Sequence, residues 1–539
     1  MPAPSRYGGP SGFYTYMTDP PQQSNHDEIS GEQLLVAVRG GTRKVVVAQV
    51  FSQLVSLATL GVLYRWISPD AFGLLSMAIP LVLLPRMLTS LGLSIATVQR
   101  QTLSDQQRAA LFSINMVLGL VAAAATVGLG YLFAPIYGAT ELITLCQWLA
   151  GTSVLASLGF LHQALLERKM QLGRLVAARL GGQTAGSLLA IMAVILNPQW
   201  GVWILVLQQY VELTVINIAV WCLEPWKPRW PRRKTPLRDL IHFGGLYSAS
   251  SLLFYLGQAI DKMLIAWWFG GTKLGQAGLG IYSQSFQLVM KPVQLITQPV
   301  TSVMLPALSR AQSDPQAFQQ IALLFYRMIA ITLLPAGVGL FVVGRDVMLV
   351  LAPEWKEAGW LVTALAPAIL AQGFVNITGS VLASVGKTKA LFFSALVMFL
   401  LLLEGYLAGY WLGTKFGDPA TYPRGVFLGV AASYSLVMLT AILIPYLAYS
   451  CQLVGIRLRD LLALVWHPGL ASLAMGLVVW ALGDLLLVSM APWLRLVILI
   501  PAGVILYLAF ALNDVKWLAG QLAGSPQPPA TEQQSLLDS

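Results

Sequence analysis

The sequence predicts an all-α polytopic membrane protein of about 14 transmembrane helices. Three observations predict it. Apolar residues make up 56% of the 539 positions and charged residues only 10%, against about 25% charged in soluble domains. Mean hydropathy is +0.69. Apolar runs of membrane-crossing length recur from residue 44 onwards, each near the ~20 residues that cross hydrocarbon. The net charge of +10 then reads as Lys and Arg held on the cytoplasmic side, not as a nucleic-acid surface.

The elements follow in order. Residues 1–30 are polar and rich in Gly and Pro and read as a disordered tail. Residues 29–43 suit a short interfacial helix. No cleavable signal peptide is visible, so the first span is expected to act as an uncleaved anchor. Spans are placed at 44–67, 71–96, 108–134, 141–163, 173–196, 199–223, 244–269, 277–305, 323–345, 358–384, 390–413, 425–448, 467–489 and 491–513. With both termini cytoplasmic, the cytoplasmic segments hold about 22 of the 33 Lys and Arg, as the positive-inside rule requires. The strongest piece, KPRWPRRKTPLR at 227–238, carries six. It reads as a topology signal, with lipid-headgroup or partner binding as the other reading. The chain thus divides into a cytoplasmic tail (1–43), six spans (44–223), a basic cytoplasmic linker (224–243), six spans (244–448), two additional spans (449–513) and a cytoplasmic C-terminal tail (514–539).

The two halves look related. FGLLSMAIPLVLLPRML (72–88) is similar to LGIYSQSFQLVMKPVQL (279–295). Gly73 falls on Gly280 and Pro85 on Pro292 at a constant offset of 207. A cation stands beside each proline: Arg86 in one half, Lys291 in the other. Six spans separate the halves, so the repeat is parallel. Internal repeats with a site between them are a common transporter plan.

Polar residues fall in lines. Gln284, Gln287, Lys291, Gln294 and Gln298 recur at steps of three and four, which puts them on one face of a helix. Ser248, Ser251, Tyr255, Gln258 and Lys262 do the same in span seven, with Asp261 beside Lys262. Span one offers Gln49, Ser52, Ser56 and Thr59, and span two offers Ser76, Arg86, Ser90 and Ser94. Such residues face a bundle interior or a watered cavity, not lipid. Helices one, two, seven and eight are therefore expected to enclose a hydrophilic, cation-bearing cleft suited to a polar, anionic passenger.

Each candidate has a second reading. Arg86 and Lys291 could only satisfy carbonyls freed by Pro85 and Pro292. Asp261 and Lys262 could be a local pair with Lys262 snorkelling. As helix neighbours they point about 100° apart, so full mutual neutralisation is not expected. Arg65 reads as an interface anchor. Glu212 and Glu404 read as interhelical hydrogen-bonding acids or as proton-coupling sites. His162, His242 and His467 read as interfacial, and Trp355 in PEWKEAGW as packing.

Several enzyme classes are excluded. SVGKTKA (384–390) is not a phosphate loop, because Val381 stands where that motif needs glycine. No HExxH, GxSxG or paired-carboxylate loop appears. Cys146, Cys222 and Cys451 show neither a disulfide pattern nor metal-ligand spacing. No cofactor or metal site is read, and no loop is long enough for a glycan-assembly active site.

The stretches ISPDAFGLLSMAIPLVLLPRMLTSLGLSIATVQR (67–100), LFSIN (111–115), LERKM (166–170), AGLGIYSQSFQLVMKPVQLITQPVTSVMLPALSRAQSD (277–314), LLPAGVGL (333–340) and APEW (352–355) resemble the Wzx-like polysaccharide flippases of the multidrug/oligosaccharidyl-lipid/polysaccharide exporter superfamily. The resemblance covers residues 40–450 and is a diffuse pattern. It implies two six-helix lobes, spans 1–6 and 7–12, around a V-shaped cavity lined by helices one, two, seven and eight; longer members add two spans. It implies flipping of undecaprenyl-diphosphate-linked oligosaccharide across the bacterial cytoplasmic membrane by alternating access, without enzymatic chemistry. Membrane lipids and polysaccharide polymerase or export proteins are the implied partners. Functional charges vary between members, so Arg86, Lys291, Lys262, Asp261, Gln258, Gln284, Gln287, Gln294, Gln298 and Tyr255 carry over by position only. A multidrug exporter of the same superfamily and a glycan-assembly membrane enzyme are the alternative readings.

Overall fold

The computed structural model describes residues 31–90, 104–169, 171–229, 238–312, 314–416 and 424–523. The chain divides into two units, residues 1–43 and 44–539. The described part of the first is helical. The second holds the rest of the architecture. Ser94, the segment 230–237 of the basic linker and the tail beyond 523 lie outside the described residues, as do the side chains of Ser90, His242 and Ser248.

The elements are α1 (Gly31–Trp66), α2 (Pro69–Ser90), α3 (Asp105–Tyr137), α4 (Glu141–Arg168), α5 (Leu172–Leu196), α6 (Val202–Leu223), α7 (Arg238–Phe269), α8 (Lys273–Arg310), α9 (Pro315–Leu351), α10 (Ala358–Leu365), α11 (Ala368–Ser384), α12 (Thr388–Phe416), α13 (Arg424–Val454), α14 (Leu458–Leu486), α15 (Pro492–Phe510) and α16 (Leu512–Ala523). Among the described residues, 10 helices are long and apolar enough to cross a membrane, or 11 when the bent pair α10–α11 counts as one. The chain is a multi-pass membrane protein. The long helices outside that set are α1, α7 and α8, which carry the densest polar lines.

Local chemistry sets the ends and breaks. Ser104 and Gln107 form a reciprocal capping box that starts α3, and Gly138 at φ 65° ends it. Asp314 accepts the amides of Gln316 and Ala317 to start α9, with Pro315 at the first helical position. This cap explains why α9 begins well before the expected 323: its first turns are polar and invisible to hydropathy. α14 starts at Leu458 rather than 467, with no side-chain cap, and α1 is helical from Gly31. Pro367 lies in the 45° break between α10 and α11. Met438–Leu443 widen into a π turn just before Pro445, which lacks the N–H an α turn needs there. Gly386, at φ 71°, stands in the turn after α11, so the apparent phosphate loop is a helix stop.

Packing separates groups of helices. α2, α3 and α4 pack on one another, as do α4 with α6 and α5 with α6. α7 packs on α12, α12 on α13, and α8 on α9, α10 and α11. α12 and α13 cross in backbone contact: a Cβ on Gly409 would stand 2.5 Å from the Gly429 carbonyl, and one on Gly429 2.2 Å from that of Gly409. Without hydrophobic drive between helices in lipid, such small-residue crossings let dispersion hold them together.

α14 and α15 dock on α9 through charges at both of its ends. Arg327 donates to Asp514 at 2.9 Å, His467 Nδ1 lies 2.6 Å from the other oxygen of Asp514, and Arg327 stacks on Trp517. Nearer the C-terminal end of α9, Arg495 pairs with Asp346 at 3.3 Å and Asp484 at 3.2 Å. His467, an exposed residue, thus bonds Asp514, and the segment from 514, expected as a tail, begins in the helix α16. His162, by contrast, is 0% exposed, stacked on Trp221 and within 3.1 Å of the Trp226 carbonyl.

The contact that joins the two groups of helices is α2 against α8. A Cβ on Gly73 would lie 1.8 Å from the Gln276 carbonyl, and one on Gly280 1.9 Å from the Pro69 carbonyl. One turn on, Ser76 Oγ and Ser283 Oγ lie 2.6 Å apart, at a sequence separation of 207. Gly280→Ala is expected to wedge these backbones apart at a cost of about 1–3 kcal/mol, as overpacking does. A fall in the melting temperature of the detergent-solubilised protein checks this; unchanged stability would contradict so close an approach.

Candidate functional site

The polar line of α8 begins dry and becomes wet. Gln284 is 4% exposed and its Oε1 accepts the Tyr64 hydroxyl at 3.0 Å. Gln287, Gln294 and Gln298 are exposed, with half-buried Lys291 between them. Neighbouring faces of the same helix are buried by Val289, Met290 and Val293. Lys291 Nζ donates to Ser56 Oγ on α1 at 2.8 Å. Above Ser56, α1 is tied to α5, where Ser52 and the Gln183 side chain exchange two hydrogen bonds. α1 therefore touches both α5 and α8 beside a row of three exposed amides and one half-buried ammonium.

Several weak contacts gather at the N-terminal end of this row. Tyr64, Phe72 and Trp355 form an aromatic triangle with centroids 4.5–5.4 Å apart. Trp355, 2% exposed, is thus packed between helices and not at a membrane surface. Arg65 donates to the Val350 carbonyl at 3.2 Å, so it is a cross-helix tie as well as an end residue. Lys273 stands 3.8 Å from Asp70 and 3.5 Å from Glu141. Gly138 and Gly271 meet with room for no side chain: a Cβ on Gly138 would be 2.9 Å from the Gly271 Cα.

The remaining predicted residues lie elsewhere. Arg86 is half-buried on α2, and the charge it feels is the carboxyl of Glu212 on α6. Lys291 thus bonds Ser56, while the opposite charge acting on Arg86 is that of Glu212. Asp261 is 0% exposed. It accepts Lys262 Nζ at 3.0 Å on both oxygens, the Lys262 amide at 2.7 Å and the Tyr282 hydroxyl at 2.8 Å. The expectation that these neighbours would not neutralise each other is corrected. The lysine stem curls back, also reaching the Gln258 carbonyl at 3.1 Å, and lays its ammonium 4.1 Å above the Phe286 ring. Such a compact, fully donated carboxylate is a structural pair held inside the α7–α8 packing. Gln258 lines a small internal cavity with Gln372 and Tyr434, and Tyr255 is half-buried on the same helix.

Sequence reasoning missed Tyr64, Gln183 and Tyr282 as bonding partners, because none belongs to the lines of polar residues at steps of three and four. Ser56 was visible only as part of the α1 line. Glu404, expected to bond another helix, is exposed and makes no hydrogen bond or ion pair among the described residues. No cluster of metal-ligating residues occurs among the described residues.

Known proteins place this arrangement. Teichuronic acid biosynthesis protein TuaB of Bacillus subtilis is 24% identical over 424 residues, 78% of this chain and 83% of that protein. Lipopolysaccharide biosynthesis protein WzxC of Escherichia coli is 22% identical over 451 residues, 83% and 87% respectively. The fold is similar to that of the lipid II flippase MurJ in its inward closed conformation, with a TM-score of 0.66 at 14% identity over 88% of this chain and 99% of that one. A MATE transporter in the bent conformation follows at 0.52, with 13% identity over 77% and 96%. The model of the polysaccharide biosynthesis protein family matches residues 62–359, more than half of the chain, and the chain belongs to that family.

Proposed function

We propose that the chain flips a diphosphate-linked, lipid-borne oligosaccharide across a bacterial cytoplasmic membrane. The observation that carries this reading is Lys291, held by Ser56 in an accessible row of amides on a helix otherwise buried in apolar packing. An ammonium inside a bilayer needs an anion or water. A hydroxyl is a neutral placeholder that a phosphate oxygen displaces at a gain, because charge-assisted bonds are about twice as strong as neutral ones. Gln287, Gln294 and Gln298 then offer both donors and acceptors to sugar hydroxyls, each exchange with water being worth little alone. The lipid tail stays in hydrocarbon beside this row. The relatives named for teichuronic acid and lipopolysaccharide biosynthesis and the lipid II flippase fold support the same substrate class.

In this reading α1, α7 and α8 also cross the membrane, giving fourteen spans: two related six-helix lobes and two additional C-terminal spans. The closed contact at Gly73–Gly280 and Ser76–Ser283, with each residue's counterpart at an offset of 207, is then a local two-fold axis between the repeats. With the N-terminus cytoplasmic, the N-terminal ends of α2 and α8 face outwards. The conformation is therefore open towards the cytoplasm, ready to load. Arg86 is a second cation, compensated by Glu212 until the lobes move.

A multidrug exporter needs an accessible acid for cationic drugs; here the acid of α7 is consumed by Lys262. Lys291→Ala is expected to lower glycan export about 10- to 100-fold at normal membrane levels, the worth of one charged hydrogen bond or two. Arg86→Ala should cost less, and pairing it with Glu212→Ala should restore part of the loss. Accumulation of the lipid-linked sugar inside the cell measures each; full export by Lys291→Ala, or drug resistance instead of export, would overturn the assignment.

The gate has its own test. Cross-linking Ser76→Cys to Ser283→Cys should stop export, and a reductant should restore it, while each single variant keeps most of its activity. Unimpeded export by the cross-linked protein would remove the gate from the mechanism.

A further inference from the structure

The outer face of α12 presents Phe393, Val397, Leu400, Glu404, Leu407 and Trp411 at steps of three and four, all exposed. Five are large and apolar, and one is an acid. The opposite face, with Met398, Leu402 and Tyr406, is buried against the rest of the bundle, so this line looks away from the bundle and towards lipid. α12 is bounded by Lys389 and Lys415, 27 residues apart as a span. At ~1.5 Å per residue, Glu404 lies about 16 Å from Lys415, close to the middle of a ~30 Å hydrocarbon core. A carboxyl there has no water and no lipid donor, and such residues normally face protein. Among the described residues it has no partner within the chain.

We propose that this face is a homodimer interface in which Glu404 of one copy hydrogen-bonds Glu404 of a second. All copies share one orientation in the membrane, so a two-copy assembly has its axis along the membrane normal. A residue beside that axis meets itself at the same depth. A carboxyl that carries its proton is both donor and acceptor, hence self-complementary. A second copy brings the matching carboxyl at the same depth without a further partner. The exposed cations of this chain among the described residues stand at or near helix ends, so only the acid itself is available at this depth from the one partner present wherever the protein is made. Leu400 and Leu407, one turn to either side, supply apolar contact around the pair.

The full-length chain tests this in native membranes, with Cys222, the exposed cysteine, replaced by serine. Glu404→Cys is expected to cross-link into a species of twice the mass, whereas Val497→Cys, on lipid-facing α15, is not. Association of two differently tagged copies should persist in Glu404→Gln, which also donates and accepts, and fall about tenfold in Glu404→Leu. Because the side chain is exposed, membrane levels should be equal in all variants. Absence of the Glu404→Cys cross-link, equal association of Glu404→Leu and wild type, or loss of a different protein without any self-association would each overturn the proposal. The glycan-export assay is not its readout, so its failure is separable from that of the flippase reading.

Discussion

Hydrocarbon offers no hydrogen bond to a polar side chain, and that constraint sorts every polar group in this bundle. Many are retired into pairs: Asp261 accepts four hydrogen bonds from three donors, Asp514 takes Arg327 and His467, and Gln183 takes Ser52. Others bond back to their own helix, as Thr59, Thr126 and Ser472 do. The row from Gln287 to Gln298 is left exposed where α1 meets α5 and α8. Its chemistry is what the pairs did not consume: three amides, and an ammonium whose partner is a hydroxyl.

Much of this was legible in the sequence because it is periodic. Five polar residues at steps of three and four on α8 can be read without a structure, and so can the recurrence of Gly73 and Pro85 as Gly280 and Pro292. Ser76 and Ser283 obey the same offset, and only their contact reveals what it does. Pairing was not legible. Lys291 and Ser56 are 235 residues apart, and Tyr64 and Gln284 are 220; nothing local marks either bond. The Asp261–Lys262 pair misled for a different reason. Backbone geometry aims adjacent residues apart, but a lysine stem has enough rotatable bonds to return to its neighbour. Helix ends were misplaced wherever a cap such as Asp314 begins a helix in polar sequence.

The separate partners of Arg86 and Lys291 narrow the recognition chemistry. A pair of bare cations facing each other would repel and would stay hydrated at high cost. Giving one an acid and the other a hydroxyl keeps both in the bundle without an anion present. It also makes them unequal. The hydroxyl is surrendered readily, whereas the carboxyl competes with any incoming phosphate. Selectivity for a diphosphate over a cationic drug then follows from charge, and tolerance of different sugars follows from amides, which accept either hydrogen-bonding role.

The contacts at the N-terminal end of the row are suited to being broken. A serine–serine bond, a tyrosine–glutamine bond and an arginine–carbonyl bond are each worth about 0.5–1.5 kcal/mol net. Lys273 is two-thirds exposed and 3.5–3.8 Å from its acids, a geometry that contributes little in water. None is a buried ion pair of the kind that fixes Asp261. The glycine crossing adds close backbone contact, which is lost all at once when the helices part. Such a gate stores only a few kcal/mol, the scale of one or two charge-assisted bonds to a bound diphosphate. A substrate that binds the outward state better by that amount can therefore shift the population, and one that binds both states equally cannot.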